Sequence, residues 1–315
     1  MKLGRAAWGY GLIILIYLTT LLWVDAQEGF LELLPTVLRL LPALMFFSLV
    51  SFGLRYARWF YLLRFAGSHV SVWQGWLAYL SGFAFTATPG KVGELVRIRY
   101  FGRLQVNASR VMSAFVFERA LDLVVVLVLA SLWVVDHKMF GMAAAFVFVT
   151  LLIVGSAMLK PDLLIASTAF FAVRGWLRIA RLLDFVADAL KGCRVWLKPW
   201  PLLVSVLLGL GAWSVTAFAF VHLLGALSLE LPWLAAFSAY PLAMLVGAAS
   251  MLPGGLGSTE ATIVVQLRWH GVPIASALLA AVVVRLGTIW FSVLSGLMAV
   301  LILEVQQKKL SLTVP

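Results

Sequence analysis

Apolar residues run through most of the chain in blocks of about 20, the length a helix needs to cross the hydrocarbon core of a bilayer. Continuous blocks lie near residues 8–25, 37–57, 111–135, 140–159, 201–227 and 273–303, and each predicts a spanning helix. Two further apolar stretches, 72–104 and 234–269, are each broken near the middle, by Pro89-Gly90 and by Pro253-Gly254. Their second halves are short and polar, so neither half makes a comfortable span. Each stretch is expected to enter the membrane, turn, and leave on the side it came from.

Charge assigns the sides. Arg55, Arg58 and Arg64 follow the second block, and Arg97, Arg99, Arg103 and Arg110 close the first broken stretch. Lys160, Arg174, Arg178, Arg181, Lys191, Arg194 and Lys198 fill the 160–200 connector, and Lys308 and Lys309 lie in the tail. Asp25, Glu28, Glu32, Asp136 and Glu230 fall in the opposite loops. Basic loops face the cytoplasm. The expected fold is therefore an all-α polytopic membrane protein with six full spans, two re-entrant broken helical hairpins and both termini cytoplasmic.

Composition agrees. The chain has 315 residues, 63% hydrophobic and 12% charged, against about 45–50% and about 25% in soluble domains. No soluble-looking block stands apart, so residues 1–315 read as one membrane domain of the cytoplasmic (inner) membrane. The net charge of +11 is spread over short loops, which is the topogenic pattern and not a nucleic-acid footprint. The single cysteine, Cys193, excludes an intramolecular disulfide framework. Lys2, Arg5 and Val24-Asp25-Ala26 faintly resemble a signal peptide, but the internal symmetry described next needs the first block, so it reads as retained.

That symmetry divides the chain at 1–138 and 139–315. Each half runs span, span, broken hairpin, span, and the two halves enter with opposite orientation. "PGKVG" at 89–93 matches "PGGLG" at 253–257, and Val106 and Val272 each precede an arginine, Arg119 and Arg285, by thirteen residues. An inverted repeat with an interrupted segment in corresponding places points to an alternating-access transporter. In the connector, Arg174, Arg178 and Arg181 share one helix face beside Phe170, Phe171, Trp176 and Leu177. That predicts either a helix lying in the cytoplasmic interface or a solvated loop helix.

The candidate chemistry sits at the breaks and the buried charges. Irregular backbone at membrane depth is tolerated only inside protein or beside a wet cavity. Gly90, Gly93, Gly254, Gly255 and Gly257 allow the reversals, and the half-helix after each break offers free N–H groups to an anion. "FERALD" places Glu118, Arg119 and Asp122 about two turns into a span, while Glu260 follows the second break and Arg285 lies deep in the last span. Charges at such depth cost at least ~2.5 kcal/mol each on insertion scales, so they are expected to face inward and pair. Arg97, Arg119 and Arg285 suit a phosphate because the guanidinium fork binds two oxygens and stays charged. Glu94, Glu118, Asp122 and Glu260 would hold the arginines or carry a proton. The plainer reading is an arginine–carboxylate clamp between the halves. Four histidines, at 69, 137, 222 and 270, show no metal or catalytic spacing, and neither cofactor nor metal is expected.

"TPGKVGELVR", "FERALD", "LPGGLGSTE" and the later Arg285, in that order, resemble the lysylphosphatidylglycerol synthase transmembrane family, a flippase-like membrane domain. The resemblance implies that Gly93, Glu94, Arg97, Glu118, Arg119, Asp122, the Pro253–Gly257 loop, Glu260 and Arg285 are functional positions. It implies lipid translocation, with an anionic phospholipid or polyprenyl-phosphate lipid as cargo. The soluble aminoacyl-transferase domain fused to this domain in the best-known members is not in the sequence. Two other functions fit the residues: a membrane-embedded transferase or phosphatase acting on a lipid phosphate, and a non-transporting partner of a lipid-modifying enzyme.

Overall fold

A computed structural model describes residues 34–159 and 176–313, together with Thr168, Phe170, Val173 and Arg174. The expected first span, the signal-peptide-like segment and most of residues 160–175 lie outside the described residues. Every described element is helical. The helices are α1 (Leu34–Phe65), α2 (Val72–Ser81), α3 (Arg97–Arg103), α4 (Ala108–Ala130), α5 (His137–Leu159), α6 (Leu177–Cys193), α7 (Pro199–Ala226), α8 (Trp233–Ala249), α9 (Ser258–Trp269), α10 (Ile274–Arg285) and α11 (Phe291–Thr313). Four stretches are long and apolar enough to cross a membrane: Val37–Phe65, His137–Met158, Pro199–Ala226 and Ile274–Lys309. The chain is a helical membrane protein. The span expected at 111–135 is a helix of 23 residues, α4, but it carries Arg110, Glu118, Arg119 and Asp122.

Both broken stretches fold back on themselves. The first runs α2, a 3₁₀ turn at Gly82–Phe85, the break, a second 3₁₀ segment at Pro89–Val96, then α3. Its arms pack together, and so do α8 and α9 on either side of the second break. Pro89 and Pro253 each start a 3₁₀ segment, where their missing N–H costs nothing. The chain then turns through Gly90 and Lys91 (φ 58° and 56°) in one tip and through Gly254 and Gly255 (φ 62° and 65°) in the other. The two tips touch. A methyl group added at Gly254 would lie 3.3 Å from the Cα of Ala87.

Packing follows a matched scheme. Helices α1 and α7, one from each half, lie against each other, as do the two tips. Helix α4 packs on α8 of the second hairpin, and α11 packs on α2 of the first. Helix α4 also packs on α7, while the π-helical turn Leu286–Trp290 between α10 and α11 packs on α1. These contacts thus each have a counterpart with the halves exchanged, while the packing of α6 on α4 has none among the described residues.

Two expectations need correction. Helix α1 runs to Phe65, so Arg55 and Arg58 are not loop residues; both are buried, Arg58 completely. They carry no topogenic information. The connector is not simply an interfacial helix. Helix α6 buries Ala180, Ala187, Ala189, Leu190 and Cys193, and packs on α4 and α5. The Cys193 thiol meets the Ser113 carbonyl at 3.3 Å, and burial pushes it up to about 12. Only its outer face, with Leu177, Ile179, Arg181 and Leu182, remains exposed.

Candidate functional site

Arg55 and Arg58 lie three residues apart on α1, and Glu118 and Asp122 lie four apart on α4, so each pair shares a helix face. The two faces meet. Arg58 Nη2 donates to Glu118 Oε1 and Asp122 Oδ1, each at 2.8 Å, and Arg55 Nη1 donates to Asp122 Oδ2 at 3.1 Å. Trp59 Nε1 and the Tyr79 hydroxyl donate to the remaining lone pairs of Glu118, at 2.7 and 3.2 Å. Arg119 joins from the same helix, 3.0 Å from Glu118 and 3.2 Å from Asp122. Such a cluster survives in an apolar interior because each charge has an opposite charge in contact and most lone pairs have donors.

Arg97 reaches the same carboxylates from the first hairpin. It lies 3.1 Å from Glu94 and 3.7 Å from Glu118, and its Nε donates to the Tyr79 carbonyl at 2.8 Å. Its guanidinium carbon sits 4.1 Å from the ring centre of Tyr79, 5.1 Å from that of Trp59 and 5.2 Å from that of Phe83. Gly82 makes this seat possible, because a β-carbon there would overlap the arginine. Arg97 is enclosed and lines neither cavity described below; it anchors the hairpin. Thr86 donates to Glu94 at 2.8 Å.

In the second half, Arg285 Nε donates to Glu260 Oε1 at 2.7 Å and Nη2 to the Gly254 carbonyl at 2.6 Å. These bonds tie the last span to the second tip. Glu260 also accepts from Gly257 N at 2.8 Å, so it caps the start of α9. In the first tip, Gly93 N donates to Thr88 Oγ1 at 2.7 Å, and α3 is only seven residues long. The half-helix ends are thus partly satisfied from within, contrary to the expectation of free donors. The ion pairs beside the tips lie within each half, whereas Arg99 and Arg103 of the first half pair with Glu304 of the second at 3.2 and 3.1 Å.

Beside the contact between the tips the halves leave open space. Two cavities meet between the tips, of about 200 and 90 Å³. Both are lined by Lys91, Arg119, Trp213, Met244 and Gly254. The larger continues along Leu123, Val126, Phe146, Leu245, Ala248 and Leu252, an apolar wall. The smaller holds more polar groups, with Ser48, Ser51, Arg55, Thr86, Glu94, Tyr240, Arg285 and Thr288 in its wall beside Phe52, Phe83 and Ile289. Several buried donors face no protein acceptor: Arg119 Nε, Arg285 Nη1 and Trp213 Nε1. Lys91 forms no ion pair among the described residues. Five cations (Arg55, Arg58, Lys91, Arg97, Arg119) thus face three carboxylates (Glu94, Glu118, Asp122), and Arg285 with Glu260 is neutral. The cavity carries an excess of two positive charges.

Of the residues expected to act, Glu94, Arg119, Asp122, Gly254, Gly255 and Arg285 line the cavities. Glu118, Arg97, Gly93, Gly257 and Glu260 support them from behind. Arg55, Arg58, Lys91, Trp213 and Tyr240 also belong to the site. The arginine spacing on α1, which complements the carboxylate spacing on α4, was the available signal. No group of three or more His, Cys, Asp or Glu among the described residues is placed to hold a metal ion. No curated protein and no solved structure matches the chain. The family model for the lysylphosphatidylglycerol synthase TM region matches residues 7–296, and the chain belongs to that family.

Proposed function

We propose that the chain moves an anionic lipid across the cytoplasmic membrane by alternating access. The observation that carries this reading is the pair of joined cavities between the tips. Both share Lys91 and Arg119; the smaller adds Arg55, Glu94 and Arg285, and the larger runs on along an apolar wall, which matches the two ends of a lipid. The phosphate of a phosphatidylglycerol-like or polyprenyl-phosphate lipid sits against Arg119 and Arg285, and the tail leaves along Leu123, Val126 and Phe146. The packing of α4 on α8 and of α11 on α2 supports an inverted repeat of 1–138 and 139–315, and the loop charges favour six spans, two re-entrant hairpins and both termini cytoplasmic. Rocking of the halves about the α1–α7 contact opens the tips to each leaflet in turn. The carboxylates hold the arginines in place when no lipid is bound.

The test is transbilayer movement of a fluorescent anionic lipid in proteoliposomes. Arg119→Ala and Arg285→Ala are each expected to abolish movement while the protein remains inserted and monodisperse. Arg119→Lys keeps the charge and is expected to retain part of the rate. Movement at the wild-type rate in both alanine variants would overturn the reading.

A further inference from the structure

Lys91 occupies a backbone conformation that suits glycine. It has φ 56° and follows Gly90 at φ 58°. Among the described residues, three other non-glycine residues have positive φ: Gln105, Ser228 and Met251. Each of those follows a helix and donates its N–H back to that helix's last turn, the ordinary left-handed helix end. Lys91 ends no helix. At the corresponding point of the second tip the chain has Gly255, with φ 65°, so the turn itself does not call for a side chain. A lysine there is strained, and strained residues persist at ligand sites. Its side chain is the one cation of the cluster without an ion pair among the described residues, and it lines both cavities.

We infer that Lys91 is a ligand-binding residue that makes the site selective for a phosphomonoester headgroup, which carries two charges, over a phosphodiester, which carries one. The inference rests on the reading of the cavity as a lipid-headgroup site. The excess of two positive charges is balanced by a dianion and only half balanced by a diester. Removing Lys91 lowers the excess to one, which a diester satisfies. The three terminal oxygens of a monoester also offer acceptors to Arg119 Nε, Arg285 Nη1 and Trp213 Nε1, which have none from the protein.

Native mass spectrometry of the solubilised protein tests this with equimolar phosphatidic acid and phosphatidylglycerol of identical acyl chains, phosphatidylcholine serving as control. The wild type is expected to retain phosphatidic acid about tenfold more strongly. In Lys91→Gly the preference is expected to vanish while the melting temperature stays the same or rises, because the strain is relieved; a merely structural lysine would lower it. Equal or stronger retention of phosphatidylglycerol by the wild type overturns the selectivity and leaves the headgroup site standing. A preference that survives in Lys91→Gly overturns the role of Lys91. Retention of neither lipid above the control overturns the headgroup reading itself. In a further arm, inorganic phosphate that binds while neither lipid does identifies free phosphate as the ligand and overturns the lipid source.

Discussion

Arg58 shows how a charge is carried inside an apolar bundle. Its side chain is fully buried, and one of its terminal nitrogens contacts two carboxylates at once. Removing one partner of such a group leaves the others uncompensated in low dielectric, which costs about 3–5 kcal/mol. Arg58→Ala is therefore expected to lower thermal stability sharply in detergent, whereas an Arg58→Met, Glu118→Gln, Asp122→Asn combination is expected to recover part of the loss. Melting followed by tryptophan fluorescence checks both. The carboxylates and Arg119 were legible in the sequence because they interrupt an apolar run. Arg55 and Arg58 were not, because they close one and so resemble loop charges; only the continuation of α1 to Phe65 places them inside.

At the scale of elements, glycine decides where helices cross. Gly296 on α11 faces the first hairpin so closely that a β-carbon would overlap the backbone of Phe83 and Ala84. Small residues allow such approach between membrane helices. Gly296→Leu is expected to cost more than the ~1–3 kcal/mol of ordinary overpacking, because backbone cannot yield as a side chain does. Loss of monodispersity on size-exclusion chromatography, with a lowered melting temperature, is the expected outcome. An unchanged elution profile and melting temperature would contradict this contact. The breaks at Pro89-Gly90 and Pro253-Gly254 were plain in the sequence, since proline and glycine alone suffice to mark them. The occupation of the half-helix ends by Thr88 and Glu260 was not, because it depends on side-chain rotamers that spacing does not determine. The packing of α6 onto α4 was hidden for a related reason: apart from Leu190 its buried face is built of alanines and Cys193, too small to show as an apolar stripe.

At the scale of the molecule, α4 on α8 and α11 on α2 form an exchanged pair of contacts around two self-matched ones, α1 with α7 and tip with tip, and α6 on α4 stands outside the scheme. The clusters beside the tips stay within their own halves, while Arg99 and Arg103 pair with Glu304 across them, so the tips themselves can part without breaking an ion pair. Transport by rocking then requires the tips to separate, and a bond across them must stop it. Ala87→Cys with Gly254→Cys places two β-carbons about 3.3 Å apart, close to the separation a disulfide needs. The native Cys193 thiol is buried and pushed up to about 12, so an oxidant acts on the introduced pair. The most direct measurement is transbilayer movement of an anionic lipid by this double variant in proteoliposomes, before and after reduction. Movement that is absent when oxidised and returns on reduction is the predicted result; an equal rate in both states, with the disulfide confirmed by mass, would contradict alternating access at the tips.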